Sequence, residues 1–139
     1  MKRVTAIGGI FMKCENPDAQ REWYRSHLGL NTDQYGTSFE WRKADNPEQK
    51  GFNVWSTFSK ESDYFSPSKK EYMLNFRVEN LAWLLDQLKQ EGIQLIGEIE
   101  VFEYGKFAHI VDPEGTKIEL WEANDIEYEK ILSPGGITK

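Results

Sequence analysis

The stretch from Lys106 to Glu122, KFAHIVDPEGTKIELWE, puts an imidazole and a carboxylate on the two arms of a hairpin. Each arm has a strand's composition, and the DPEG between them is a turn signal. His109 and Glu119 could do three kinds of chemistry. They could ligate a metal, they could move a proton near neutral pH, or they could orient a molecule in a pocket that holds no metal. Which of these applies depends on what other side chains reach the same face, and so on the elements that carry them.

Those elements come in two copies. Val4 to Lys13 is an apolar, glycine-containing run suited to a strand. In ENPDAQREWYRSHLGL, Asn16 is a natural helix N-cap, Pro17 takes the first helical position and Gly29 closes the helix. TSFEWRKA and GFNVWSTF alternate as strands do, with DNPEQKG read as the turn between them. After a connector at 61–70 the order begins again. YMLNFRVEN reads as a strand, and Asn80 caps LAWLLDQLKQEG, in which Leu81, Leu84, Leu85 and Leu88 mark one apolar face and Gly92 ends the helix. IQLIGEIEVFEYG leads into the closing hairpin. A shift of 64 residues lays Lys13-Cys14-Glu15-Asn16 on Arg77-Val78-Glu79-Asn80. The spacing predicts helices near 17–28 and 80–91. The fold expected is α+β: two βαβββ modules, about 4–58 and 71–123, forming one curved mixed sheet around a concave pocket with helices on the outer face. Residues 124–139 form a C-terminal tail with a Pro-Gly-Gly break, ordered only where something covers it.

Composition narrows the function. The 139 residues suit one domain, with 39% apolar and 29% charged residues and no low-complexity tract, so the chain should fold. A net charge of −6 argues against nucleic acid, which needs a clustered basic face. No apolar run approaches the length of a membrane span, and the single cysteine, Cys14, fits a reducing compartment as a small buried hydrophobe. The expectation is a cytoplasmic protein without nucleic-acid or membrane partners.

Strand, cap, WYRSHLGL at 23–30, FRVENL at 76–81 and DPEGTKIELW at 112–121, in order over an internal repeat, resemble the vicinal oxygen chelate superfamily. That group includes glyoxalase I, bleomycin-resistance proteins and extradiol dioxygenases. The resemblance implies a divalent metal held by four concave side chains, one from the first and one from the last strand of each module. Carried over by position, the first-strand places fall on Gly9 and Met73, and the last strand of the first module offers Asn53, Val54 and Trp55. Only Glu119 matches a ligand. Gly9 has no side chain and a thioether suits a hard ion poorly, so no metal and no other cofactor is expected.

Strand alternation supplies the lining instead. With Leu74, Phe76 and Val78 under the helices, Met73, Asn75 and Arg77 face the concave side. With Ile118 and Leu120 in the core, Lys117, Glu119 and Trp121 do. Phe107 and His109 follow, and Trp41 and Trp55 are the inward aromatics of the first module. Each has a plainer reading: an Arg77–Glu119 ion pair, a hydrogen-bonded strand histidine, tryptophans that pack or meet a second copy. His27 reads as a charge on a helix C-terminus, and Glu98, Glu100 and Glu103 as a solvated edge. Together the inward set describes a small-molecule pocket with aromatic walls for a flat, aromatic or anionic ligand. Two further readings stay open. One is a lyase or dioxygenase with relocated metal ligands. The other is a metal-free enzyme with His109 or Glu119 as general base. A homodimer is expected, because an open concave sheet would expose apolar surface.

Overall fold

In the computed structural model, which describes residues 1–139, asparagine side chains start both long helices. Asn16 Oδ1 accepts from the Ala19 N–H at 3.0 Å to begin α1 (Pro17–Leu28), and Asn80 Oδ1 accepts from the Trp83 N–H at 3.0 Å to begin α2 (Leu81–Gln90). Gly29, at φ 73°, ends α1 in the left-handed region that favours glycine. Around them run β1 (Val4–Cys14), β2 (Gly36–Lys43), β3 (Asn46–Ser59), β4 (Tyr72–Val78), β5 (Ile96–Phe102), β6 (Gly105–Val111) and β7 (Lys117–Ala123). The residues after β7 form α3 (Asp125–Ile131), a 3₁₀ turn at Pro134–Gly136 and β8 (Ile137–Thr138).

The eight strands make one mixed sheet in the order β5-β6-β7-β4-β1-β3-β2-β8. The fold is α+β with a curved mixed sheet, as the repeat implied. The second module is a full βαβββ unit, whereas the first contributes β1, α1, β2 and β3, and β8 takes its fourth place by pairing parallel to β2. Asn31 ties that edge, donating its N–H to Thr138 Oγ1 at 3.0 Å and its Nδ2 to the Ile137 carbonyl at 2.9 Å. The β2–β3 turn is tighter than DNPEQKG suggested. It is made at Ala44-Asp45, and Pro47 lies in the part of β3 that extends beyond its pairing with β1, where a missing N–H leaves no gap in that ladder.

The two helices are held differently. Beneath α2, Val78, Leu81, Leu84, Ala108 and Leu120 form a buried cluster flanked by Phe76, Leu85 and Leu88. α1 buries no residue, and rests on the sheet through Tyr24 against Trp55 (ring centroids 4.3 Å) and Arg21 on Thr57 Oγ1 at 2.7 Å. Exposed Glu98, Glu100 and Val101 lie on β5, an edge strand, which fits the solvated-edge reading. No helix is long and apolar enough to cross a membrane.

The concave face is not open. The connector at 60–71 folds back over one half and places Phe65 beside Phe11 and Met73, with Val54 and Phe58 around them. α3 lies over the other half, where Tyr128 meets Phe52 and Trp121 (centroids 5.4 and 5.2 Å) and shares a 2.8 Å hydrogen bond with Ser38. The tail expected to need a cover is itself a cover. The exposed apolar surface behind the dimer expectation is therefore not concave. Val4, Ile7, Ile10 and Tyr72 line up instead along the outer side of β1 and β4.

Candidate functional site

Glu119 lies mid-strand on β7, paired with His109 on β6 and Asn75 on β4. In both ladders directly opposed residues share a face, so three polar side chains converge. Glu119 Oε1 accepts from Asn75 Nδ2 at 2.7 Å, and Oε2 lies 2.7 Å from His109 Nε2. The third partner was not legible from strand periodicity: Tyr64, in the connector, donates its hydroxyl to Oε2 at 2.5 Å. A carboxylate only accepts, so the proton of the His109–Glu119 contact belongs on Nε2. Glu119 is 2% exposed and His109 4%. With three donors on two oxygens, the buried charge is compensated as burial demands.

The charges of this cluster also act on its neighbours. Burial, and then the nearby Glu119 charge, raise the Tyr64 hydroxyl well above the usual phenol range, so it remains a donor. Lys117, buried beside the cluster, donates Nζ to the Tyr64 carbonyl at 2.6 Å, and burial lowers its pKa.

Arg77 does not pair with Glu119. Its side chain runs the other way, where Nη1 and Nη2 meet the two oxygens of Asp125, at the head of α3, at 2.9 and 2.5 Å. Nη1 also donates to the Phe52 carbonyl at 3.3 Å. The guanidinium carbon stands 4.9 Å from the Trp41 ring centroid and 5.2 Å from that of Trp121, both within cation–π range. Asn75 takes the place expected for Arg77 beside Glu119, because Gly8 leaves room for it. A Cβ at Gly8 would stand 2.0 Å from Asn75 Oδ1. β1 carries a register shift at Ile7–Gly9, which turns Gly9 and Phe11 inward opposite Asn75 and Met73.

The candidate residues therefore divide into three groups. Met73, Asn75, His109 and Glu119 are concave but sealed beneath Tyr64 and Phe65. Arg77, Trp41, Trp121 and Phe107 form the second group, with Phe107 stacked on Trp121 at 5.7 Å. Trp55 is a correction. Val54 and Phe58 pack inward beside Phe11, so alternation turns Trp55 outward onto Tyr24 of α1. An aromatic pair in an otherwise polar connector, DYFSP, was the available signal for Tyr64; for Asp125 and Tyr128 no signal was present.

The places where the resemblance implies metal ligands do not suit a divalent ion. Gly9 abuts the Val54 carbonyl, Met73 is packed between Phe11 and Phe65, Val54 is apolar, and both oxygens of Glu119 are engaged by protein donors. A cavity of about 840 Å³ opens beside the Arg77 group, lined by Trp41, Asn53, Arg77 and Asp125. Another of about 560 Å³ lies beneath α3, lined by Val54, Ser56, Tyr104 and Tyr128.

No family model and no curated protein sequence matches the chain. Solved structures do. Methylmalonyl-CoA epimerase from Mycobacterium tuberculosis is 19% identical over 93% of this chain and 95% of its own, with a TM-score of 0.58. A Streptomyces coelicolor methylmalonyl-CoA epimerase variant in complex with 2-nitronate-propionyl-CoA is 14% identical over 87% of this chain and 99% of its own, with a TM-score of 0.63. A structure described as NAD-dependent benzaldehyde dehydrogenase from Legionella pneumophila is 15% identical over 84% and 98%, with a TM-score of 0.53. At such identities the likeness shows the fold alone, one shared with these structures over most of both chains.

Proposed function

We propose that this protein binds a small anionic molecule with an apolar or aromatic body at the Arg77 end of the concave face, and does so without a metal. The observation that carries the reading is a buried guanidinium, 7% exposed, held between two tryptophan rings beside a cavity of about 840 Å³. A fixed guanidinium fork matches a carboxylate or phosphate, and the Trp41 side chain that lines the cavity gives the rest of the ligand an aromatic surface. That an epimerase of this fold is held with methylmalonyl-CoA supports a small-molecule ligand. Trp41 and Arg77, which line that cavity, are the proposed contacts, with Trp121 and Phe107 packed behind Arg77. The test is a titration of tryptophan emission with small carboxylates and phosphates. Saturable quenching is expected in the native chain, weakened at least about tenfold in Arg77→Ala, since losing a charge-assisted pair is worth roughly 1.5–3 kcal/mol. Unchanged quenching in Arg77→Ala would refute the reading. Elemental analysis of untagged protein should show no stoichiometric metal, and one ion per chain would overturn that part.

A second reading, a metal-free lyase of the superfamily that the sequence resembles, is favoured by one contact. Glu119 orients His109 at 2.7 Å, the arrangement of a carboxylate behind a general base. A pH-dependent activity screen on α-ketoaldehydes, catechols and epoxides tests it. Turnover lost in a His109→Gln variant that melts like the native chain is expected on this reading, and no turnover of any of these substrates would refute it. We further propose a cytoplasmic homodimer that covers the exposed row Val4, Ile7, Ile10 and Tyr72. Sedimentation showing only the 16.2 kDa species at micromolar concentration would refute the dimer.

A further inference from the structure

Arg77 and Asp125 are unequal partners. Arg77 projects from β4, in the middle of the sheet, and is fixed by the Phe52 carbonyl and two indole rings. Asp125 is the first residue of a seven-residue helix that buries none of its side chains. Apart from that carboxylate, α3 is tied down by one side chain, Tyr128, bonded to Ser38 and packed on Phe52 and Trp121, and by an exposed pair between Lys50 and Glu129 at 2.6 Å, while Ile126 is 72% exposed. If one side of the Arg77–Asp125 pair moves, it is the helix.

Two more observations mark Arg77 as an anion site with an internal occupant. The contact is bidentate, the geometry by which a guanidinium takes a free carboxylate. The adjoining cavity is lined by Trp41, the ring over which the guanidinium stacks, and the buried Trp41 indole N–H has no acceptor with Asp125 in place. Buried donors are nearly always satisfied, so an indole N–H left without an acceptor marks this packing around Arg77 as incomplete.

We propose that Asp125 is a built-in stand-in for the carboxylate of the ligand, and that α3 is a strap which the ligand displaces. This rests on the anion-binding reading above and deepens it, because ligand carboxylate and Asp125 exchange on one guanidinium. Affinity is then lowered by the fraction of molecules with the strap closed, and removing the competitor restores it.

The test measures benzoate and butyrate binding, by tryptophan quenching, to the full chain as native protein, Asp125→Asn and Ser38→Ala. Asp125→Asn removes the competing charge and keeps the shape. It should bind benzoate about tenfold tighter or more if the strap is closed nine-tenths of the time. It should also show a larger rise in melting temperature with benzoate than the native chain, since the added anion neutralises an otherwise unpaired buried Arg77. Ser38→Ala touches neither Arg77 nor the cavity that Arg77 lines, yet it loosens Tyr128 and should tighten binding by a smaller factor. Benzoate should also speed tryptic cleavage after Lys130 in the native chain. Equal affinities in all three proteins would overturn the strap and leave the anion site standing. So would slower cleavage with benzoate, which would mean that α3 closes over the ligand. Binding that is unaffected by Arg77→Ala would remove both. If Asp125→Asn does not fold, the Ser38→Ala affinity and the native cleavage rate decide alone.

Discussion

Glu119 stands in the middle of a strand and Asp125 at the head of a short helix, and both carboxylates end on the concave face opposite nitrogen donors. Glu119 receives Asn75, His109 and Tyr64, two of them from the strands on either side of its own, and the third from a connector locked by Phe65 in an apolar cluster. Asp125 receives one guanidinium and rides on an element without buried side chains. The chemistry is similar and the support is not. A carboxylate fixed by the sheet serves the fold. One carried on a lightly packed helix can leave, and what it leaves behind is a binding site.

The largest test of that contrast removes Glu119. Glu119→Ala strands three buried donors and should lower stability by about 3–5 kcal/mol in urea unfolding, with no recovery on adding benzoate. A loss below about 1 kcal/mol would erase the distinction between the two sites.

Gly8→Ala probes whether the sites are joined. The new methyl would press on Asn75 Oδ1 and come within 3.1 Å of Arg77 Cγ, so it should cost about 1–3 kcal/mol and also weaken carboxylate binding. Lost stability with intact binding would show the two sites to be independent.

Alkaline titration sharpens the Glu119 side. The Tyr64 hydroxyl is raised above its ordinary value of 10.0, so above about pH 10 the unfolded chain loses a proton that the folded one keeps, and stability falls as pH rises. Tyr104 and Tyr128, also raised by burial, act in the same direction, while Lys117, lowered by burial, acts against them. Tyr64→Phe should flatten the alkaline decline. An unchanged slope would place it in the other tyrosines.

The smallest expected effect concerns the strap. Lys50→Ala breaks an exposed pair and should change global stability by less than about 1 kcal/mol, yet it should speed hydrogen exchange at the α3 amides. Exchange as slow as before would mean that α3 is held by something other than its polar ties.

What the sequence revealed follows the same division. Helices at 17–28 and 80–91 could be read because caps and a leucine stripe are local signals. The inward parity of Met73, Asn75, Arg77, His109, Glu119 and Trp121 could be read because regular strands alternate. Trp55 was misplaced because, with no flanking core residues to anchor it, parity on β3 had no reference. The partners of Glu119 and Arg77 were hidden for another reason. Tyr64 and Asp125 come from aperiodic segments 55 and 48 residues from their contacts, and no local rule reaches that far.

The two-residue strand β8 carries a consequence in time. Its anchor, Asn31 to Thr138, spans 107 residues, so β2 remains an open edge until almost all of the chain described here has been made. At about 5–20 residues per second that interval is roughly 5–20 s on the ribosome. Through it Ser38 and Phe39 lack the strand that later pairs with them, leaving the kind of edge that recruits foreign strands. Newly made chains are thus most vulnerable before residues 137–138 emerge, and a chaperone that shields one sheet edge would matter more to yield than one that speeds the rest of folding.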